Sequence, residues 1–130
     1  MREAIRLLGC LVTLTAAFGL DSCTCKRTLI SEEKSPSGDK LASVTTADCN
    51  GALGSLSTHV EIRPSNTPLW DKKNMALSVD AKVLLTLHWQ DNQTLIVYGP
   101  KGLFKHSFVD DRIKTQRDEL DGVRIDYREL

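Results

Sequence analysis

The chain has 130 residues, with 17 Lys or Arg against 17 Asp or Glu, so its formal net charge at pH 7 is zero. This length allows one ordinary domain, and the lack of a basic excess argues against a nucleic-acid partner. Hydrophobic residues make up 41% and charged residues 26%, a globular mixture that argues against a wholly disordered chain.

The N-terminal segment has the layout of a secretory signal. Arg2 and Arg6 precede an apolar run over residues 7–20. This run is shorter than the ~20 residues that a membrane-spanning helix needs. We therefore predict a signal peptide over residues 1–22 rather than a transmembrane helix.

The end of this segment, Leu20-Asp21-Ser22-Cys23, resembles the lipobox of bacterial lipoproteins, although Asp21 departs from the usual pattern. The resemblance implies lipidation of Cys23 by a diacylglycerol and an acyl chain, which together anchor a protein durably to a membrane. No acidic residue follows Cys23 directly. For a Gram-negative source this implies the outer membrane, facing the periplasm. The alternative is an ordinary secretory signal cleaved near residues 19–22, which leaves Cys23 as a free thiol.

The cysteines predict one disulfide. Cys10 leaves with the signal and Cys23 carries the lipid, so Cys25 and Cys49 remain as partners in an oxidising compartment. Their disulfide closes a loop of about 25 residues, which is worth about 3 kcal/mol in the chain-entropy model. The alternatives are a reactive thiol or a metal site, which the C-x-C spacing and the lack of a nearby His disfavour.

Turn-forming residues divide the mature chain into segments that favour β-strands. The clearest hairpin is predicted for residues 82–89 and 94–98, with alternate residues from Val83 to Trp89 on the core face. A second pair is predicted for residues 41–46 and 56–63. Shorter strands are predicted for residues 29–30, 103–108 and, at a sheet edge, 123–127.

These patterns predict an all-β fold, a small antiparallel meander sheet that is blade-like or sandwich-like. At most one short helix is expected near residues 110–120, where Ile113, Arg117 and Leu120 share one helical face before Gly122. A solvated loop is equally consistent with that segment. The predicted organisation is a signal peptide over 1–22, an anchor and linker over 23–34, and a single β domain over 35–130.

A succession of short motifs adds a family resemblance. The turn Ser35-Pro36-Ser37-Gly38-Asp39-Lys40, the loop Asp48-Cys49-Asn50-Gly51-Ala52 and the W-x-D-x-x-T-L hairpin beginning at Trp89 follow one another. This order is similar to that of small bacterial envelope lipoproteins with S-P-D-G-K and D-C-G-A-T-T signatures, although Asn50 interrupts the second signature here. The resemblance implies a β domain of the cell envelope and carries no activity. The first turn also resembles those of propeller blades, but the chain is too short for several blades.

Residues with catalytic potential are scattered. His59, His88 and His106 have no metal-ligand spacing, and no motif assembles a nucleophile, a base and an orienting group. We therefore predict no catalytic residue, no metal and no cofactor. Trp70 lies beside a proline turn, while His59 and His88 fall on the polar faces of predicted strands, so these three residues are candidate partner contacts.

The sequence thus predicts a membrane-anchored lipoprotein of unknown process, acting as a non-enzymatic binding or structural module of the cell envelope. Its predicted partners are the membrane, through the lipid on Cys23, and another envelope protein, with no nucleic acid. The sequence identifies no small-molecule ligand. The alternative is a small envelope hydrolase that uses His59 or His88 with a carboxylate.

Overall fold

The computed structural model describes residues 25–49, 55–104 and 112–130. The predicted signal peptide, Cys23 and His106 lie outside these ranges. Within them, no helix has the length and apolar character that crossing a membrane requires.

The described residues form an all-β structure of two sheets, as predicted. One sheet has five strands in the order β1-β2-β3-β4-β7, and the other has four in the order β5-β6-β9-β8. The strands are β1 (Cys25–Lys34), β2 (Lys40–Cys49), β3 (Ser55–Pro64), β4 (Met75–Val79), β5 (Thr86–Asp91), β6 (Thr94–Gly99), β7 (Ile113–Gln116), β8 (Glu119–Leu120) and β9 (Val123–Glu129). The one helical element in these ranges is a 3-10 turn, Lys72–Asn74.

The five-stranded sheet is antiparallel, and its first four strands form a meander. The predicted pairing of residues 41–46 with 56–63 is confirmed as the centre of the longer β2–β3 ladder. Residues 25–34, expected to belong to a linker, instead form β1, which pairs with β2 from Leu41 to Cys49. This pairing starts at Cys25 opposite Cys49, where the predicted disulfide joins the two strands.

The four-stranded sheet contains the predicted hairpin as β5 and β6, with a shorter first strand than expected. Leu87 and Trp89 are buried on its core face. β9 was expected at an edge but lies inside the sheet, parallel to β6 on one side and antiparallel to β8 on the other. The sheet is therefore mixed rather than purely antiparallel.

The described part of the segment 110–120 contains strands rather than a helix. Ile113 and Thr115 are half-buried, while Lys114 and Gln116 are exposed, which is the two-residue period of a strand. β7 pairs with β4, a strand that the sequence patterns did not reveal. Of the strand expected over residues 103–108, the first two residues lie in a turn and bend after β6, and the rest fall outside the described ranges.

The two sheets pack face to face on one apolar core, in agreement with the sandwich-like alternative. Side chains also connect the two sheets: Trp89 Nε1 donates to the Glu33 carbonyl at 2.9 Å, and Lys40 Nζ donates to the Asp121 carboxylate at 3.0 Å. Tyr127 Oη donates to the Arg117 carbonyl at 2.6 Å and lies 3.3 Å from the Ala76 carbonyl. The fully buried apolar side chains of the core are Ala42, Val60, Ala76, Leu77, Val79, Leu95, Val97 and Val123.

Candidate binding site on the outer face of the five-stranded sheet

The outer face of the five-stranded sheet carries polar residues that are nevertheless buried. Strand alternation turns Val44 and Val60 into the core and turns their neighbours outward. The outward-facing Ser43, Thr45 and Glu61 are each 1% exposed or less. The segment between β3 and β4, residues 65–74, contacts this face and helps to bury it.

Arg63 fastens that segment to the sheet. Its guanidinium donates to Ser43 Oγ at 2.6 Å, to Glu32 Oε2 at 2.8 Å and to the Thr67 carbonyl at 3.0 Å. The hydrogen bond from Arg63 lowers the pKa of the Glu32 carboxyl below its ordinary value of 4.5, against the opposing effect of burial. One side chain therefore joins β1, β2 and β3 to residues 65–74, which we call the covering segment.

Glu61 holds the backbone of Trp70. Its two carboxylate oxygens accept from the Trp70 N–H at 3.1 and 3.2 Å. Trp70 has a φ of 76°, a left-handed conformation that is strained for a large side chain and must be held by its surroundings. The residue remains 38% exposed, with Arg27 Cζ 5.4 Å from the ring centroid. This is a cation–π arrangement.

A cavity of 180 Å³ lies beside Trp70. Among the buried side-chain nitrogen and oxygen atoms of the described residues, Thr45 Oγ1 and His59 Nδ1 are the two without a hydrogen-bond partner. Both residues line this cavity. An unsatisfied buried polar group costs about 1–3 kcal/mol of stability. The full lining is Arg27, Thr45, Ala47, His59, Glu61, Trp70, Lys72 and Met75.

A second cavity, of 410 Å³, shares His59, Lys72 and Met75 with the first. It continues across the face over β4 and β7, where Ser78 and Thr115 are paired in register. Arg117 completes its lining. We call the two cavities together the outer-face groove.

His59 occupies the junction of this groove. Its Nε2 lies 2.8 Å from Ser57 Oγ, within hydrogen-bond distance. Burial lowers the pKa of the imidazole below its ordinary value of 6.5, and Arg27 adds to this effect while Asp80 opposes it. A serine beside a neutral imidazole is the beginning of a nucleophilic pair, but no group of the described residues orients Nδ1.

The candidate contacts predicted from the sequence divide between the two sheets. His59 and Trp70 line the same cavity, whereas His88 is exposed on β5 of the other sheet, opposite Ile96. The described residues contain no group of three His, Cys, Asp or Glu that could hold a metal ion. The sequence reasoning missed Thr45 and Glu61, since an outward polar residue on a strand ordinarily faces solvent.

A larger cavity of 530 Å³ lies between the segment after β3 and the β8–β9 turn, lined in part by Pro64, Pro68 and Asp121. Neither of the two unpartnered polar atoms belongs to its lining. Volume alone does not indicate a ligand, so the outer-face groove is the better candidate.

Comparison of the chain with protein-family models, with curated proteins and with solved structures gave no match.

Proposed function

We propose that this protein is an exported, lipid-anchored module of the bacterial cell envelope, and that it binds a ligand in the outer-face groove. The observation that supports binding is the cavity bordered by Trp70, a residue that has a left-handed backbone and remains 38% exposed, with the Arg27 guanidinium over its ring.

The proposed anchor is close to the folded domain in sequence. Cys25 begins β1 and is bonded to Cys49, and Thr24 is the one residue between Cys25 and Cys23. Two residues of chain span at most about 7 Å, so a lipid on Cys23 keeps the disulfide end of the five-stranded sheet next to the membrane. The groove is then presented from a domain with little freedom to leave the surface.

Fractionation of a bacterial host tests the anchor. The wild-type chain is expected with the membranes and to be released by detergent, whereas Cys23→Ser is expected in the soluble periplasmic fraction. Cys10→Ser is the matched control and is expected to fractionate like the wild type. A wild-type protein in the soluble fraction would contradict the proposed anchor.

A fragment screen by ¹⁵N NMR tests binding at the groove while the natural ligand is still unidentified. The probe is a library of small polar and aromatic compounds applied to the purified protein with its disulfide formed. We expect the shifted amides to cluster at Thr45, His59 and Trp70. Hits confined to other surfaces, such as the groove at Pro64 and Asp121, would contradict the proposed site.

The contact between Ser57 and His59 supports a second candidate function, hydrolysis by an activated serine, with Glu61 the one carboxylate among the lining residues of the groove. Its test is turnover of p-nitrophenyl acetate by the purified protein and by Ser57→Ala. Hydrolysis above the buffer rate that disappears in Ser57→Ala would support the enzyme. Equal rates in both proteins would reject it.

A further inference from the structure

β1 is a long strand with one open edge. It pairs with β2 on one side, and no described strand pairs with it on the other. Nine of its ten residues are exposed, including Leu29 at 44% and Ile30 at 50%. Such an edge is a template for another strand. We propose that two copies of the chain associate here, β1 antiparallel to β1 about a two-fold axis between Leu29 and Ile30, joining two five-stranded sheets into one. This inference does not depend on the proposed ligand.

The charges of β1 make the strand complementary to a second copy of itself. Its first half carries Lys26 and Arg27, and its second half carries Glu32 and Glu33. A single sign of charge along the edge would keep two copies apart, which is one way that edge strands are protected. Around the proposed axis each charge instead meets its opposite. Lys26 faces Glu33 of the second copy, and Arg27 faces Glu32 of the second copy.

A β-bulge makes this register possible. Residues directly opposite each other in an antiparallel pair share a face, whereas residues an odd number of positions apart in a regular strand lie on opposite faces. Lys26 and Glu33 are seven positions apart. The register of β1 against β2 shifts between Leu29 and Ser31, so Ile30 is an extra residue that reverses the alternation between the two halves. Lys26 and Glu33 therefore share a face.

The contacts of β1 confirm which charged side chains share a face. Arg27 lies over the Trp70 ring and Glu32 accepts from a guanidinium on the outer face, so both point outward. Lys26 and Glu33, one position away from each, both point to the inner face. Because the axis repeats each pair, the proposed dimer has two ion pairs on each face of the joined sheet.

The backbone groups of the open edge fit the same register. The Cα atoms of Cys25 and Cys49 are 4.1 Å apart, the short spacing of a pair that is not hydrogen-bonded. The N–H and C=O of Cys25 therefore point away from β2, and by alternation so do those of Arg27. At the other end Ser35 N–H donates to the first carbonyl of β2, so by alternation the N–H and C=O of Glu32 also point to the open edge. Arg27 and Glu32 of the second copy can then exchange backbone hydrogen bonds.

Sedimentation equilibrium tests the association. The sample is the purified protein with its disulfide formed, as the Cys23→Ser variant, so that no lipid drives self-association. We expect an average mass that rises with concentration toward twice that of one chain, and an association that weakens with added salt. The mass of a single chain even at millimolar concentration would overturn the inference.

A charge exchange tests the register. Lys26→Glu places two carboxylates opposite each other at both symmetric positions and is expected to weaken association about tenfold or more. Glu33→Lys is expected to do the same. The double variant Lys26→Glu/Glu33→Lys restores opposite charges and is expected to associate as the wild type does. Lys101→Glu, in the exposed turn after β6, is the matched control and is expected to leave association unchanged.

The four variants also separate an effect on association from an effect on folding. Lys26 and Glu33 are exposed and belong to no salt bridge of the described residues, so urea unfolding of each variant is expected to match the wild type. Equal association in all variants, or a double variant as weak as the single ones, would overturn the proposed contact.

A zero-length cross-link identifies the facing residues directly. A carbodiimide joins a lysine amine to a carboxylate that touches it. Seven residues of strand separate Lys26 from Glu33 by about 20 Å within one chain, so a Lys26–Glu33 cross-link must join two copies. We expect peptide mass spectrometry to find this cross-link in the dimer. A dimer that is cross-linked through other pairs and not through this one would overturn the proposed register.

Discussion

At the scale of single residues, two threonines on neighbouring strands show what distinguishes the groove from the core. Thr45 and Thr58 are both fully buried. Thr58 Oγ1 donates to the Ala81 carbonyl at 2.7 Å and accepts from the Val83 N–H at 3.1 Å, whereas Thr45 Oγ1 has no partner. The first hydroxyl supports the fold, and the second costs stability in the free protein.

This difference predicts opposite effects of the same substitution. Thr45→Val removes an unsatisfied hydroxyl and is expected to raise the free energy of unfolding by about 1 kcal/mol. Thr58→Val removes a satisfied hydroxyl and leaves the Ala81 carbonyl and Val83 N–H unpaired, so it is expected to lower that free energy by about 1–3 kcal/mol. Urea unfolding of both variants measures this. A Thr45→Val variant as destabilised as Thr58→Val would contradict the account.

His59 predicts a dependence of stability on pH. Because burial lowers its pKa below 6.5 in the folded state, the unfolded chain takes up the proton first as the pH falls. The free energy of unfolding is therefore expected to decrease as the pH falls below 6.5, and His59→Gln is expected to lack this part of the decrease. Urea unfolding between pH 7.5 and 5.5 tests it, with the exposed His88→Gln as control. An equal decrease in His59→Gln and in the wild type would be the contrary result.

The ion pair of Arg63 with Glu32 predicts a second dependence of stability on pH, due to titration of the Glu32 carboxyl. Arg63→Met is expected to lower the free energy of unfolding by about 1–3 kcal/mol at pH 7, because the buried guanidinium no longer donates to Ser43 Oγ and the Thr67 carbonyl, while its ion pair with the partly exposed Glu32 adds less. The deficit should shrink as the pH falls below 4.5, since protonated Glu32 no longer gains from Arg63. Arg128→Met, which removes an exposed pair with Asp126, is the control and should cost less than about 1 kcal/mol. A loss of unfolding free energy as small as that of Arg128→Met, or a loss that does not change with pH, would contradict this role of Arg63.

At the scale of elements, local patterns predicted the hairpins and missed the non-local pairings. The β2–β3 and β5–β6 hairpins combine alternating side chains with a nearby turn, and both signals lie within a few residues. The β8–β9 turn was also visible, since Asp121-Gly122 is a hairpin signal and both residues have positive φ values, 52° and 78°. The helical interpretation of residues 110–120 overlooked it.

The parallel β6–β9 pairing and the antiparallel β4–β7 pairing could not be predicted in this way. Each joins segments far apart in sequence, and the choice depends on how the two sheets close on their common core. β4 also lacks an alternating pattern, because four of its five residues are buried.

The disulfide makes a prediction at this scale. It joins the outer ends of β1 and β2, where Cys25 faces Cys49, and closes a loop with a sequence separation of 24. The double variant Cys25→Ala/Cys49→Ala is expected to lose about 3 kcal/mol of unfolding free energy, and thiol reduction of the wild type should cause a similar loss. Urea unfolding with and without reductant measures both effects. A double variant as stable as the oxidised wild type would show that the bond adds nothing.

At the scale of the whole molecule, the candidate site is assembled from parts that the sequence keeps apart. Arg27 comes from the segment expected to be a linker, Thr45 and His59 come from two strands, and Trp70 comes from the covering segment. The sequence identified His59 and Trp70 one by one, from residue type and local context. Their meeting at one cavity depends on the register of β1, β2 and β3 and on the hydrogen bonds of Glu61 and Arg63 to the covering segment.

The proposed location in the cell envelope and the proposed lipid anchor also concern the whole molecule, because they determine where the groove can meet a ligand. A domain joined to its lipid through Thr24 alone would remain at the membrane surface with its groove on the side of one sheet. Ligands for such a site would be envelope components within reach of that surface.

The most direct test of this account is the intact mass of the protein extracted from the membranes of a bacterial host, measured after thiol alkylation of reduced and of unreduced samples. We expect a chain that begins at Cys23 and carries a diacylglyceryl and an acyl group, with Cys25 and Cys49 alkylated only in the reduced sample. An unlipidated chain whose Cys25 and Cys49 alkylate directly would contradict the anchor, the oxidising compartment and the disulfide together.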